Sequence, residues 1–226
     1  MSSLPSGLGA KSVPIQSLWV GEIRELWPGK APSAIAKRRV DRRLEVGLVG
    51  FVDDAQADLS VHGGVDKAIH HYAAEHYAVW REEFPSSAER LVPGGFGENV
   101  STTGISEADL CIGDVLSLGS ARVQVSQGRQ PCWKLNQHTG LKTLAKRFQQ
   151  TGHTGWYYRV VEGGRVEADD AMAVLERPCP DWPLRAVVAA LGDAKAPSEV
   201  WHALATLPEL AESWRQEFRK RIQAGS

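Results

Sequence analysis

Four short segments concentrate the residue types that can bind an anion or act as a soft ligand. Residues 29–39 (GKAPSAIAKRR) set four cations around a turn of small side chains. Residues 61–72 (VHGGVDKAIHHY) combine a glycine pair with histidines, an aspartate and a lysine. Residues 94–99 (GGFGEN) offer a second glycine-rich turn, and residues 127–134 (QGRQPCWK) carry a cysteine. Adjacent glycines let a backbone come close to a ligand and turn N–H groups toward it. Lysine and arginine beside them supply charge for an anion, most naturally a phosphate. Taken singly, each segment reads better as a glycine-rich turn with a solvated charge cluster.

Cys132 follows a strand-like run, a Gly-Arg pair and Pro131, which stiffens the approach. Arg129 and Lys134 can favour its thiolate, a soft metal ligand and a nucleophile. The alternative is a buried, inert thiol. Cys111 sits between apolar neighbours and reads as core, and Cys179 lies between two prolines. The histidines do not form a zinc pattern: no HExxH occurs, and the five-residue step from His71 to His76 puts them on different helical faces. Walker, dinucleotide and GxSxG fingerprints are absent.

The elements that must position these residues read as mainly β. Strands are expected over 17–26, 43–49, 157–161 and 172–175, and a hairpin turning at Gly119-Ser120 over 115–125. Many short strands separated by Gly and Pro imply a barrel or sandwich. Helices over 73–84 and 141–150 interrupt it. Past the Pro178-Cys179-Pro180 segment the pattern turns helical. Three short helices are expected there, capped by Asp181, by Ser198 and by a Thr206–Glu209 box. The last carries a Leu207, Leu210, Ala211, Trp214, Phe218, Ile222 stripe that reads as packing surface. The expected organisation is a flexible N-terminus over 1–14, a barrel over 15–178 and a three-helix module over 181–226.

The chain has 226 residues, 42% of them hydrophobic, with a formal net charge of -1. That balance gives no support for a nucleic-acid or membrane partner. Three cysteines without a CxxC pair argue against a disulfide scaffold and for a reducing compartment. The first residues lack the apolar core of a signal peptide, and no apolar run approaches the roughly 20 residues of a membrane span. A cytoplasmic protein is expected.

Together the segments resemble the MOSC family, named for the C-terminal domain of molybdenum cofactor sulfurase, and within it the YiiM-like branch. The strings that carry the likeness are GKAPSAIAK at 29–37, VHGGVDKAIHHY at 61–72, FGENVST at 96–102, IGDVLSLG at 112–119 and VQVSQGRQPCWKLN at 123–136. The likeness covers roughly residues 17–175, and the tail resembles the three-helix domain that follows MOSC in that branch. The resemblance implies a MOSC-type β-barrel that binds molybdenum–molybdopterin, with the metal-ligating cysteine falling on Cys132. It also implies reduction of N-hydroxylated compounds such as 6-hydroxylaminopurine.

On that reading the pterin phosphate lies against Lys37, Arg38 or the backbone near Ser33. His62, Gly63, Gly64, Asp66 and Lys67 line the pterin or the pocket mouth, Asn99 meets the ring edge, and Arg129 steadies negative charge. His71 is a further candidate. Its neighbour His70 stands where relatives are expected to carry a smaller residue, so the two can exchange roles. No haem, flavin or iron–sulfur motif is present, so an external electron-donor protein is the implied partner, and a homodimer is compatible. A cofactor- or persulfide-carrying delivery protein using Cys132 is the alternative function.

Overall fold

The computed structural model describes residues 12–58 and 63–224. Among the described residues eleven strands and six α-helices alternate irregularly. The strands are β1 (Ser12–Gly21), β2 (Lys37–Val40), β3 (Leu44–Gly47), β4 (Gly50–Phe51), β5 (Ile69–Ala73), β6 (Val100–Thr102), β7 (Val115–Leu118), β8 (Ala121–Gly128), β9 (Trp156–Glu162), β10 (Gly164–Val166) and β11 (Ala171–Glu176). The helices are α1 (His76–Glu83), α2 (Trp133–Thr139), α3 (Leu144–Thr151), α4 (Leu184–Gly192), α5 (Ser198–Thr206) and α6 (Glu212–Ala224).

Seven strands close a mixed barrel in the order β11-β7-β8-β9-β5-β6-β1, with β11 returning to β1. The long β1 does two jobs along one edge. Its first residues close the barrel against β11 (Ser12↔Ala173), and its last hold β2 (Gly21↔Lys37). A small sheet of β10, β3 and β4 stands beside it. The β5–β6 pair is parallel, so its connection must cross over. That crossover carries α1 and the Gly94-rich loop.

The barrel interior is filled by residues such as Ile15, Leu18, Val123, Val125, Trp156 and Tyr158. A second cluster lies outside the barrel wall, where Tyr72 of β5 meets Tyr77, Trp80, Phe96, Leu135 and Phe148. Every residue of β5 is buried because it has packed layers on both faces. This explains a departure from the expected helix over 73–84. A strand covered on both sides loses its polar alternation, and α1 begins only at His76.

Other expectations shift by a few residues. The first strand starts at Ser12, inside the segment expected to be flexible, whose residues 1–11 lie outside the described part. The tail does form three helices, but Pro183 rather than Asp181 precedes the first, and Pro197 precedes the second. The third starts at Glu212, not near Thr206. Thr206 ends α5 and bonds back to the His202 carbonyl, while Leu210 packs in the core ahead of α6. Among the described residues no helix is long and apolar enough to cross a membrane.

Candidate functional site

A cleft opens on the outer side of the barrel wall, enclosing about 670 Å³ of space that runs out to solvent. Its wall comes from the 33–37 and 54–57 segments, Lys67, His70 at the start of β5, the turn carrying Phe96, Gly97 and Asn99, the 129–134 segment, and Tyr157 of β9. Cys132 lies on it, part-exposed, with an extended backbone at the start of α2. The approach to Cys132 is pinned because the Arg129 N–H donates to the Gly155 carbonyl at 2.9 Å. On the other side of the thiol, Lys134 Nζ reaches the Pro32 carbonyl at 3.2 Å, tying α2 to the 29–35 loop.

The three cysteines differ sharply. Cys111 is buried, and burial pushes its pKa up from the ordinary thiol value. Cys179 is pushed up to about 12, first by burial and then by Glu209. Both are held as neutral thiols. Cys132 alone among the three lies on the cleft.

The two neighbouring histidines of β5 point to opposite sides, as successive strand residues must. His71 enters the barrel, where its ring bonds Tyr158 Oη at 3.0 Å and Thr102 Oγ1 at 2.9 Å. Burial lowers its pKa to about 3. His70 faces the cleft and packs on Tyr157 with ring centroids 5.0 Å apart. Its pKa is held well below the usual value by burial and by the Arg129 charge, so the ring is neutral at pH 7. A backbone hydrogen bond to Gly97 uses one ring nitrogen, and Nε2 has no partner. Arg129 is only 7% exposed, and its Nη1 also lacks a partner.

Among the described residues that line it, the cleft carries Lys37, Lys67, Arg129 and Lys134 with one carboxylate, that of Asp54, while Asp66 and Asp58 act on Lys67 from beside the wall. Lys37 and Asp54 are paired at 2.6 Å with both side chains almost wholly buried. Burial pushes the Lys37 ammonium pKa down while Asp54 pulls it back. The same carboxylate accepts the Gly21 N–H at 2.6 Å and Asn99 Nδ2 at 2.8 Å. Asn99 Oδ1 in turn accepts the His70 N–H at 3.0 Å. This network holds β1, β2, β5 and the cleft floor together.

The structure therefore brings six of the sequence candidates to the cleft: Ser33, Lys37, Lys67, Asn99, Arg129 and Cys132. Arg38 lies exposed on β2, opposite Val20. Gly63 and Gly64 are not on the cleft wall; the Gly64 N–H donates to Gln56 Oε1 at 3.2 Å. Asp66 turns toward the tail, pairing with Arg159 at 2.8 Å and accepting the Glu212 N–H at 3.1 Å. His62 lies outside the described residues. Sequence reading passed over Asp54, Gln56 and Tyr157, which join the site only through long-range contacts. His70 carried the one usable signal, its polarity in an otherwise apolar run.

The profile of the MOSC domain matches residues 58–173, and that of the YiiM-like 3-alpha helix domain matches residues 182–225. This chain belongs to the MOSC family. It is 39% identical to Protein YiiM of Escherichia coli over 92% of each chain. The crystal structure of YiiM from Escherichia coli aligns with a TM-score of 0.79 at 32% identity, covering 95% of this chain and 94% of that one. A protein of Gibberella moniliformis named Reductase is 38% identical over 68% of this chain but only 28% of its own length. In this MOSC chain Cys132 lies within the span that the MOSC profile matches, as does the cleft wall from Lys67 onward, while the 33–37 and 54–57 parts of the wall precede that span.

Proposed function

We propose that the cleft holds a molybdenum–pterin cofactor with the Cys132 thiolate as the protein's ligand to the metal, and that the protein reduces N-hydroxylated compounds such as 6-hydroxylaminopurine. The observation that carries this reading is a part-exposed thiol in a basic cleft whose wall keeps two buried nitrogens, His70 Nε2 and Arg129 Nη1, without partners. Each unmet buried polar atom costs on the order of 1–3 kcal/mol. A bound group with complementary edges removes that cost.

The residues fit the cofactor in three respects. His70 is a neutral acceptor for a ring N–H, and Arg129 is a cationic donor for an oxyanion or a carbonyl. The surplus of cations suits an anionic ligand. Among the described residues no three His, Cys, Asp or Glu side chains are grouped to hold a metal ion. A metal at Cys132 then takes its remaining ligands from the organic part of its own cofactor, which a pterin dithiolene supplies.

When bound, such a cofactor supplies two-electron redox chemistry at a soft-ligated metal. The net conversion of an N–OH compound to its amine consumes two electrons and two protons and releases one water. The chain's own groups have narrower tasks. Cys132 anchors, Arg129 balances negative charge, and the Lys37–Asp54 pair shapes the floor. Tyr157, whose pKa burial raises, stays protonated and can donate a hydrogen bond. The electrons come from a separate donor protein. A relative named Reductase supports the redox class over a pure carrier.

The test is turnover. Cofactor-loaded protein with a chemically reduced viologen is expected to convert 6-hydroxylaminopurine to adenine, and Cys132→Ser to lose that activity while keeping its far-UV spectrum. Loaded protein that hands cofactor to another apoenzyme but never reduces an N–OH compound would establish the carrier alternative instead.

A further inference from the structure

Between β1 and β2 the chain leaves the barrel as a loop whose middle, residues 24–33, forms a strap. Arg24 and Ser33 close its base with two backbone hydrogen bonds, of 3.0 and 2.9 Å. The tip turns over residues 27–30. There the Lys30 N–H donates to the Trp27 carbonyl at 3.1 Å, and Gly29 supplies a left-handed φ of 67°. The base stands on the cleft, because Ser33 is part of its wall. The rest of the strap lies against the start of α2, beside the thiol. Trp27 meets Trp133 edge-on with ring centroids 5.5 Å apart, and Lys30 Nζ stands 5.9 Å over the same Trp133 ring. The Pro32 carbonyl accepts Lys134 Nζ at 3.2 Å. Trp133 and Lys134 directly follow Cys132. The strap therefore bridges the cleft wall at Ser33 and the segment that carries the thiol.

These holds are light. From Arg24 to Pro32 every residue is exposed except Leu26 and Trp27, which are half-buried, and Trp133 itself is 45% exposed. Neither tryptophan belongs to either of the two packed clusters. Aromatic and cation–π contacts at such wet sites are weak one by one. A segment with few buried apolar contacts opens locally far more often than the barrel that carries it. The contacts on Trp133 can thus release without disturbing the core.

We propose that the 24–33 strap is a gate on the Cys132 cleft, latched by Trp27 and Lys30 on Trp133, and that Trp27 selects by size which molecules reach the thiol. A small molecule reaches the part-exposed thiol with the strap closed. A bulky, rigid one waits for the strap to lift. The latched ring belongs to the residue next to Cys132, so opening widens the cleft at the thiol itself. The gate needs no cofactor and is independent of the function proposed above.

The experiment compares two alkylating reagents on the purified full chain: iodoacetamide, which is small, and a fluorescein maleimide, which is bulky. The adduct at Cys132 is followed by peptide mass spectrometry. Trp27→Ala removes the latch ring, and a thermal melt checks its fold. It should speed the maleimide reaction by roughly two- to tenfold, the worth of one aromatic pair, and leave the iodoacetamide rate nearly unchanged. Trp27→Phe keeps a ring and should fall between. Lys30→Ala alters an exposed side chain and should move the maleimide rate in the same direction. Amide hydrogen exchange on the same proteins separates gating from simple loss of bulk: the Arg24, Lys30 and Ser33 amides should exchange faster in step with the maleimide rate. An unchanged ratio of the two alkylation rates in folded Trp27→Ala overturns the gate. So does a faster maleimide reaction with no change in exchange at those amides, because Trp27 is then only a shield.

Discussion

His71 shows what a single buried side chain does to the whole stability curve. Its ring is neutral in the folded protein because burial lowers its pKa to about 3, whereas in the unfolded chain it titrates near 6.5. Between those values the unfolded state binds the extra proton. The contribution is therefore complete above about pH 6.5 and is lost as pH falls toward 3, at about 1.4 kcal/mol per unit. His70 acts in the same direction. Denaturant unfolding at pH 7 and pH 5 should show a loss of about 2 kcal/mol or more at the lower pH; equal stabilities would contradict the burial of these rings in neutral form. The cysteines divide at the same scale. Cys111→Ser and Cys179→Ser should leave reductase activity in place, because neither thiol lies on the cleft. Loss of activity in a folded Cys179→Ser protein would count against the assignment.

The Gly94–Asn99 turn is the element that shapes the cleft floor, and Glu98 holds it. Its buried carboxylate accepts the Gly94 N–H at 2.6 Å, the Phe96 N–H at 3.1 Å and the Tyr77 hydroxyl at 2.7 Å. Gly97, with φ 78°, completes the turn, and a Cβ there would press on Ile35 at 2.8 Å. The Ser101 hydroxyl donates to the Glu98 carboxylate as well, at 3.2 Å, so Glu98→Ala strands four donors, and a loss of about 3 kcal/mol or more is expected in chemical denaturation; a loss under 1 kcal/mol would contradict that role. Glycine spacing made this turn visible in the sequence, as it did the Val115–Val125 hairpin, whose strands β7 and β8 pair through Leu118↔Ala121. The strand β5 was not visible, because packing on both faces erased the alternation that marks a strand. Lys37 read as a free cation. Its partner Asp54 lies 17 residues away, and nothing local couples them. Local pattern records what an element is, while the pairing that neutralises or frees a charge depends on the fold.

At the scale of the molecule, barrel and tail share one hydrophobic core, in which Leu184, Val187, Trp214 and Phe218 pack with Val123 and Val125. Gly128 at the end of β8 permits the close approach: a Cβ there would lie 2.5 Å from Val188 Cγ2 and 3.0 Å from the Trp214 ring. Gly128→Ala should cost about 1–3 kcal/mol by overpacking, read as a lower midpoint of a single thermal transition. Two separate transitions in the wild type would contradict the shared core. The sequence showed both regions and the family they belong to, but it read the tail stripe only as packing surface. Its contribution to a cavity beside Arg129 emerged from the assembled fold. The account as a whole depends on what the cleft beside Cys132 holds. The most direct measurement is molybdenum by mass spectrometry and pterin by fluorescence, on wild type and Cys132→Ser made in a host that synthesises the cofactor. The expected result is close to one molybdenum and one pterin per wild-type chain, with metal much reduced in the folded variant. Folded wild-type protein that carries neither, after expression alongside a cofactor-loaded control enzyme, would contradict it.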